Sequence, residues 1–177
     1  MLPVAGLTII EVLVAMGIIS IMVIMGIPSL QDFIRRAHIS SQAHEFVGTL
    51  KYARSEAIKR GQRVTVCKSA DGATCATTGN WHIGWIVFVD NNNNDTRQSG
   101  EELLRVRRGP LDGGMTLVGN TNVARRLSYL SNGGLAGLST GTITLCHPGH
   151  SIGTNFLITY TGRVRTAPTT TANPCPT

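Results

Sequence analysis

Four sets of residues in this chain of 177 have the types and spacing to do chemistry. The cysteines are Cys67, Cys75, Cys146 and Cys175. They form no CxxC pair and share no zinc-finger spacing with the histidines, so their chemistry reads as disulfide formation in an oxidising compartment, with no metal held. Three connectivities are open. The favoured one joins Cys67 to Cys75 across a short Gly-containing loop and Cys146 to Cys175, which ties down a Thr/Pro-rich tail. The segment Cys146-His147-Pro148-Gly149-His150 could suggest metal or thiol chemistry, but a disulfide cysteine beside a His-containing turn is the simpler reading. A third set is the run Asp90-Asn91-Asn92-Asn93-Asn94-Asp95, followed by Thr96, Gln98 and Glu101. Its oxygens fall where a calcium loop places ligands, yet Asp95 stands where the sharp turn needs glycine, and flanking helices are missing from the pattern. It reads as a solvated Asn-rich turn. The fourth set is the arginines.

Sixteen Lys and Arg against ten Asp and Glu give a formal charge of +6. Residues 1–34 hold Glu11 and Asp32 and no base, while beyond Asp112 there are only Arg125, Arg126, Arg163 and Arg165 and no acid. A half charged only by arginine suits an anionic partner such as nucleic acid or lipid head groups. In Gly162-Arg163-Val164-Arg165 a strand would turn both arginines one way and Val164 to the core. Their charges would then lie roughly 6–7 Å apart, twice the rise per residue, a scale suited to successive phosphates. The same alternation in Leu104-Arg105-Val106-Arg107 predicts a second outward pair, Arg105 and Arg107. A charged edge strand that resists aggregation is the competing reading of either pair.

Catalysis has no candidate machinery: GxSxG, HExxH, the P-loop and paired carboxylates are all missing from the sequence, so the chain is read as no enzyme and as needing no cofactor. Trp81 and Trp85, four apart, could form a platform for bases, but packing of a sheet on a helix is the stronger expectation, since aromatics dominate cores.

The elements that must position these residues differ between the two ends of the chain. From Leu7 to Leu30 the only ionisable side chain is Glu11. As a helix this run would be about 36 Å long, enough to cross a bilayer. A carboxylate in such a run is costly, so Glu11 needs a reason. A cleaved secretory signal would end in a small-x-small site, but the pattern continues. Apolar residues recur at helical spacing through Leu30, Phe33, Ile34 and Ala37, then Phe46, Val47, Leu50, Ala53, Ala57 and Ile58, and stop at Lys59-Arg60-Gly61. The spacing predicts one helix with a membrane half and an amphipathic stem, with Gly17, Gly26 and Pro28 as the places to bend. Beyond Gly61 the pattern predicts eight short strands, over residues 63–68, 85–89, 103–107, 115–118, 127–130, 142–146, 155–160 and 163–166, divided by Gly- and Asn-rich turns. Residues 167–177 read as an irregular tail.

Gly6-Leu7-Thr8-Ile9-Ile10-Glu11-Val12 resembles the prepilin cleavage and methylation motif of type IV pilins and type II secretion pseudopilins. Leu7 stands where those families more often have phenylalanine, and the leader carries no Lys or Arg. Ala57-Ile58-Lys59-Arg60-Gly61, Val64-Thr65-Val66-Cys67, the segment from Trp81 to Asp90, Glu101-Glu102-Leu103-Leu104-Arg105 and the late Gly162-Arg163-Val164-Arg165 are similar to the GspH/FimT family of minor pilins and pseudopilins. The resemblance covers about residues 6–166.

The resemblance implies an α+β, type IV pilin-like fold, a long N-terminal helix packed on antiparallel β-sheet. Its divisions would be a leader over 1–6, a transmembrane and filament-core helix over 7–30, a stem over 31–60, a β-rich globular domain over 61–166 and the tail. A prepilin peptidase would cut between Gly6 and Leu7, and Leu7 would be methylated. Glu11 would pair with the N-terminal amine of a neighbouring subunit, a pairing that low dielectric makes consequential. Partners would be other pilins and the inner-membrane assembly platform. The protein would sit in the inner membrane as a single-pass protein with a periplasmic domain, then enter the extracellular pilus. The late Gly-Arg-x-Arg element resembles the one associated with DNA capture in natural transformation, so DNA is an expected partner of Arg163 and Arg165, with Arg105 and Arg107 beside them. The alternative is a structural minor pilin or type II secretion pseudopilin that primes or caps the filament without binding DNA.

Overall fold

The computed structural model describes residues 8–137, 140–148, 152–170 and 175, and for residues 23–29 the backbone only. Gly6 and Leu7, the expected cleavage site, lie outside the described residues, as do Gly149 and His150.

Helix α1 spans Ile9–Arg60 and takes in Gly17, Gly26 and Pro28. Its start is chemically marked: the Glu11 amide donates to the Thr8 carbonyl at 3.1 Å and to Thr8 Oγ1 at 3.4 Å, an N-cap by Thr8. Its end is marked by Lys59 and Arg60 in the last turn and by Gly61 at φ +66°, the left-handed stop that glycine adopts without strain. The chain divides into two compact units, residues 1–38 and 39–177. In the first, Ile9, Leu13, Met16, Ile19 and Met22 are all exposed, as are Leu30, Phe33 and Ile34. Among the described residues no helix is long and apolar enough to cross a membrane. The span expected over 7–30 draws on Leu7 and on side chains 23–29, which lie outside them.

In the second unit the helix buries Ile39, Ala43, Phe46, Leu50, Ala53 and Ala57, a stripe spaced by alternating fours and threes. Val47 is only partly buried, and Ile58, expected on the same face, is 51% exposed because it falls one position past the stripe. The alanines at the C-terminal end of the stripe let the sheets approach closely.

Among the described residues eight strands follow, at or near the expected positions: β1 Val64–Lys68, β2 Gly84–Val89, β3 Leu103–Arg108, β4 Thr116–Gly119, β5 Arg126–Tyr129, β6 Gly141–Cys146, β7 Gly153–Ile158 and β8 Val164–Pro168. They form two antiparallel four-stranded sheets, ordered β3-β2-β1-β5 and β4-β6-β7-β8. One core takes residues from the stem and from both sheets, including Val66, Val87 and Tyr129 of the first and Leu117, Ile143 and Phe156 of the second. Phe46 is its hub. Its ring meets Trp81 and Trp85 edge-on at 5.7 and 5.2 Å and Phe156 at 5.3 Å. Such pairs add about 0.5–1.5 kcal/mol each beyond the area they bury. Both indole N–H groups are satisfied inside, Trp81 by the Val123 carbonyl at 2.8 Å and Trp85 by Thr49 Oγ1 at 3.3 Å. Both tryptophans are fully buried, so they are packing residues and offer no face to a base.

A smaller cluster of Cys67, Ile86 and Phe88 lies on the other face of the first sheet. The Cys67–Cys75 disulfide covers it with the loop after β1, and Cys146 is bonded to Cys175. Within that loop Asp71 accepts from the Thr74 hydroxyl at 2.6 Å, from the Thr74 and Ala73 amides at 2.8 Å and from Ser69 Oγ at 2.9 Å. These donors hold its carboxyl well below the usual carboxylate range.

Candidate nucleic-acid interface

Gly162-Arg163-Val164-Arg165 forms the β7–β8 hairpin and the start of β8, an edge strand of the second sheet. The register sets Val164 opposite Ile158 and Arg165 opposite Leu157. Ile158 is buried and Val164 packs against the core, whereas Leu157, Arg163 and Arg165 are exposed. The strand period therefore sends both arginines outward, as expected. Neither guanidinium makes a hydrogen bond or ion pair among the described residues.

The hairpin is held from several sides. The Thr159 amide donates to the Arg163 carbonyl at 3.0 Å and the Gly162 amide to the Thr159 carbonyl at 2.8 Å, which puts Tyr160 and Thr161 at the tip. Gly162 has φ +74°, and a Cβ there would overlap the Gly133 carbonyl oxygen. That oxygen also accepts from Arg54 Nε at 2.8 Å, and the Leu135 amide donates to the Tyr160 carbonyl at 2.9 Å. The hairpin is thus locked to the Asn132-Gly133-Gly134 turn, and an arginine of the stem clips the turn. Arg54, Arg163, Arg165, Tyr160 and Leu157 line a groove of about 910 Å³ over this junction, and among the described residues every charged side chain in its wall is an arginine. Sequence reading missed Arg54, because its partner lies 79 residues away and the helical pattern places it beside the apolar stripe as an ordinary solvated base.

The second arginine pair is outward only in part. Both side chains lie on the stem side of strand β3, where Arg107 is largely covered and Arg105 is exposed. The register shifts between Val87 and Phe88, so Leu104 is an extra residue and Arg105 and Arg107 fall opposite Val87 and Trp85, which belong to the main core. Arg105 Cζ lies 4.3 Å above the Tyr52 ring and Arg107 Cζ 5.2 Å from the Trp85 ring. Arg107 also reaches Glu45 at 3.4 Å and Gln42 Oε1 at 3.3 Å, and donates to the carbonyls of Arg108 and Pro110. Arg107 is a strap between β3 and the stem, Arg105 is exposed, and Val106 and Arg108 are exposed on the other face.

The Asn-rich loop is organised from within. Asp90 accepts from the Asn94 and Asp95 amides at 3.1 and 3.0 Å and from Thr65 Oγ1 at 3.0 Å. Glu101 accepts from the Asn91 and Gln98 amides, while Asp95 pairs with Arg63 and Arg126 and accepts from Ser128 Oγ at 2.6 Å. The carboxylates that a calcium ion would need are turned inward onto amides and guanidiniums, and no group of three or more metal-ligating side chains occurs among the described residues. Glu11 is exposed in the first turn, where an acid also complements the helix dipole.

A long helix whose stem packs on two antiparallel sheets defines an α+β, type IV pilin-like protein. Residues 42–165 match the family described as type II transport protein GspH, and the chain belongs to that family of minor pilins and pseudopilins. Among solved structures it is similar to the type IV minor pilin FimU of Pseudomonas aeruginosa strain PAO1, with 25% identity over 77% of this chain and 92% of that one and a TM-score of 0.60. It shares a fold with the minor pseudopilin EpsH of the type 2 secretion system of Vibrio cholerae, at 16% identity over 73% of this chain and 96% of that one, TM-score 0.51. Among curated proteins nothing matches.

Proposed function

We propose that this chain is a minor type IV pilin that binds extracellular DNA without sequence preference and passes it to uptake in natural transformation. The observation that supports this is the pair Arg163 and Arg165, two exposed guanidiniums without partners among the described residues, on an edge strand and lining a groove with a third arginine. Phosphate contacts of this kind supply affinity and carry no base information. On this reading a prepilin peptidase cuts between Gly6 and Leu7, the new terminus is methylated, and the apolar helix holds the protein in the inner membrane until the assembly platform extracts it. Glu11 pairs with the terminal amine of a neighbouring pilin, and the β-rich unit faces the periplasm and then the outside. In cells, Arg163→Gln with Arg165→Gln should leave pili assembled and DNA uptake sharply reduced; normal uptake by this strain contradicts the proposal.

The second reading is a structural minor pilin or type II secretion pseudopilin that primes or caps a filament without DNA. The match to a type II transport family and the exposed apolar residues of Ile9–Met22 favour it. It expects the same double variant to lose nothing.

A further inference from the structure

Tyr160 occupies the hairpin tip 59% exposed, beside three guanidiniums. Its hydroxyl makes no hydrogen bond among the described residues, and its ring takes no part in an aromatic pair there. Its backbone, by contrast, is fixed: its carbonyl accepts from Leu135, and the turn from Thr159 to Gly162 closes around it. A large ring is thus carried into solvent from a fixed backbone position, with Leu157, 37% exposed, extending the apolar surface along β7. An exposed aromatic ring beside several arginines is the arrangement on which unpaired bases stack. A duplex keeps its bases stacked inside and can use only the arginines.

We propose that the groove takes single-stranded DNA, with a base stacked on Tyr160 while Arg163, Arg165 and Arg54 hold the adjoining phosphates. This rests on the DNA-binding reading above and adds a substrate preference to it. Arg54 is held in place by its Nε bond to Gly133 and keeps its terminal nitrogens for the backbone. Stacking on the ring is tolerant of base identity, because every base has a π-face, so the preference is for strandedness and not for sequence.

The test uses the full chain in neutral detergent, titrated with a labelled short oligo-dT and with a blunt duplex of mixed sequence, at one salt concentration. Tyr160→Ala should weaken oligo-dT binding by about fivefold or more and leave the duplex affinity within about twofold, while Tyr160→Phe should keep wild-type affinity for both. Arg163→Gln with Arg165→Gln should weaken both ligands. If Tyr160→Ala changes neither ligand, or both alike, the stacking role is overturned while the arginine-based reading stands. If the arginine variant leaves both affinities unchanged, the DNA-binding reading and the inference that rests on it both fall. Circular dichroism of each variant confirms that the fold is kept, and the Phe variant separates loss of the ring from damage to the hairpin.

Discussion

The Cα of Gly162 packs directly against the carbonyl of Gly133, and Arg54 donates to that same carbonyl oxygen at 2.8 Å. The glycine of the Gly-Arg-x-Arg element is therefore a structural requirement of the hairpin that displays the arginines. Its partner is constrained as well: Gly133 has φ +77°, and a Cβ there would stand 2.7 Å from Ile58 Cδ1 and 3.0 Å from Arg54 Nε.

Gly162→Ala should destabilise the protein by more than the roughly 1–2 kcal/mol that a left-handed non-glycine residue costs, because the added methyl also displaces the 131–134 turn. Gly137→Ala is the control, since Gly137 has φ +82° and a methyl placed there would meet nothing within 4 Å, so it carries the conformational cost alone. Urea unfolding should rank Gly162→Ala as the weaker protein, and DNA affinity should fall with it. Equal midpoints would mean that the junction yields.

The loop closed by Cys67–Cys75 should show a defined acid dependence. Asp71 has its carboxyl depressed by the Thr74 hydroxyl first and then by the Thr74 and Ala73 amides. A group whose folded value lies below its unfolded one adds stability above the unfolded value, near 3.8 here, and loses it as the pH falls towards the folded value. Wild-type stability, followed by thermal unfolding from about pH 6 downward, should drop below that point more than the stability of Asp71→Asn. Parallel curves for the two proteins would remove Asp71 from the acid response.

The eight strands were legible because Gly- and Asn-rich turns separate them and because the helix stops at a basic turn followed by glycine. Their division into two sheets was not, since β1 pairs with β5 and β4 with β6 across long stretches of chain that leave no local signal. Arg163 and Arg165 were legible as an outward pair because Val164 between them is apolar and the strand is regular. The same argument misplaced Arg107: a bulge at Leu104 and the chemistry of Trp85, Glu45 and Gln42 draw it onto the stem, while Arg105 stays exposed over the Tyr52 ring. Alternation says which residues share a face; it does not say which face is wet. Arg54 was invisible because only the tertiary fold brings it to Gly133. The order within the Asp90–Glu101 loop was not legible either, because Asp90 and Glu101 cap amides of the loop itself, bonds that the spacing of oxygens does not reveal.

The disulfides should contribute unequally. In the chain-entropy account, a bridge closing 29 residues is worth about 3.6 kcal/mol and one closing 8 about 2.5 kcal/mol. Cys146→Ser with Cys175→Ser should therefore lower the urea midpoint more than Cys67→Ser with Cys75→Ser. The reverse order would show that the small cluster under the Cys67–Cys75 loop matters more than loop closure.

Glu11→Ala should leave membrane insertion intact, because removing a charge from an apolar helix only eases it, and should reduce the amount of the protein in sheared filaments. Wild-type incorporation would sink the proposed pairing of Glu11 with a neighbouring subunit.

The most direct measurement of the central claim is the salt dependence of DNA binding by the full chain. If phosphate contacts from Arg163 and Arg165 carry the affinity, binding should be weak, similar across duplex sequences, and steeply reduced by salt. Removing one arginine–phosphate pair should flatten the log–log slope by about 0.9. Arg163→Gln with Arg165→Gln should then lower the slope by about two units and remove most of the binding, with the fold kept because both side chains are exposed. A folded double variant with the slope and affinity of the wild type would contradict the account and leave a pilin that builds filaments without touching DNA.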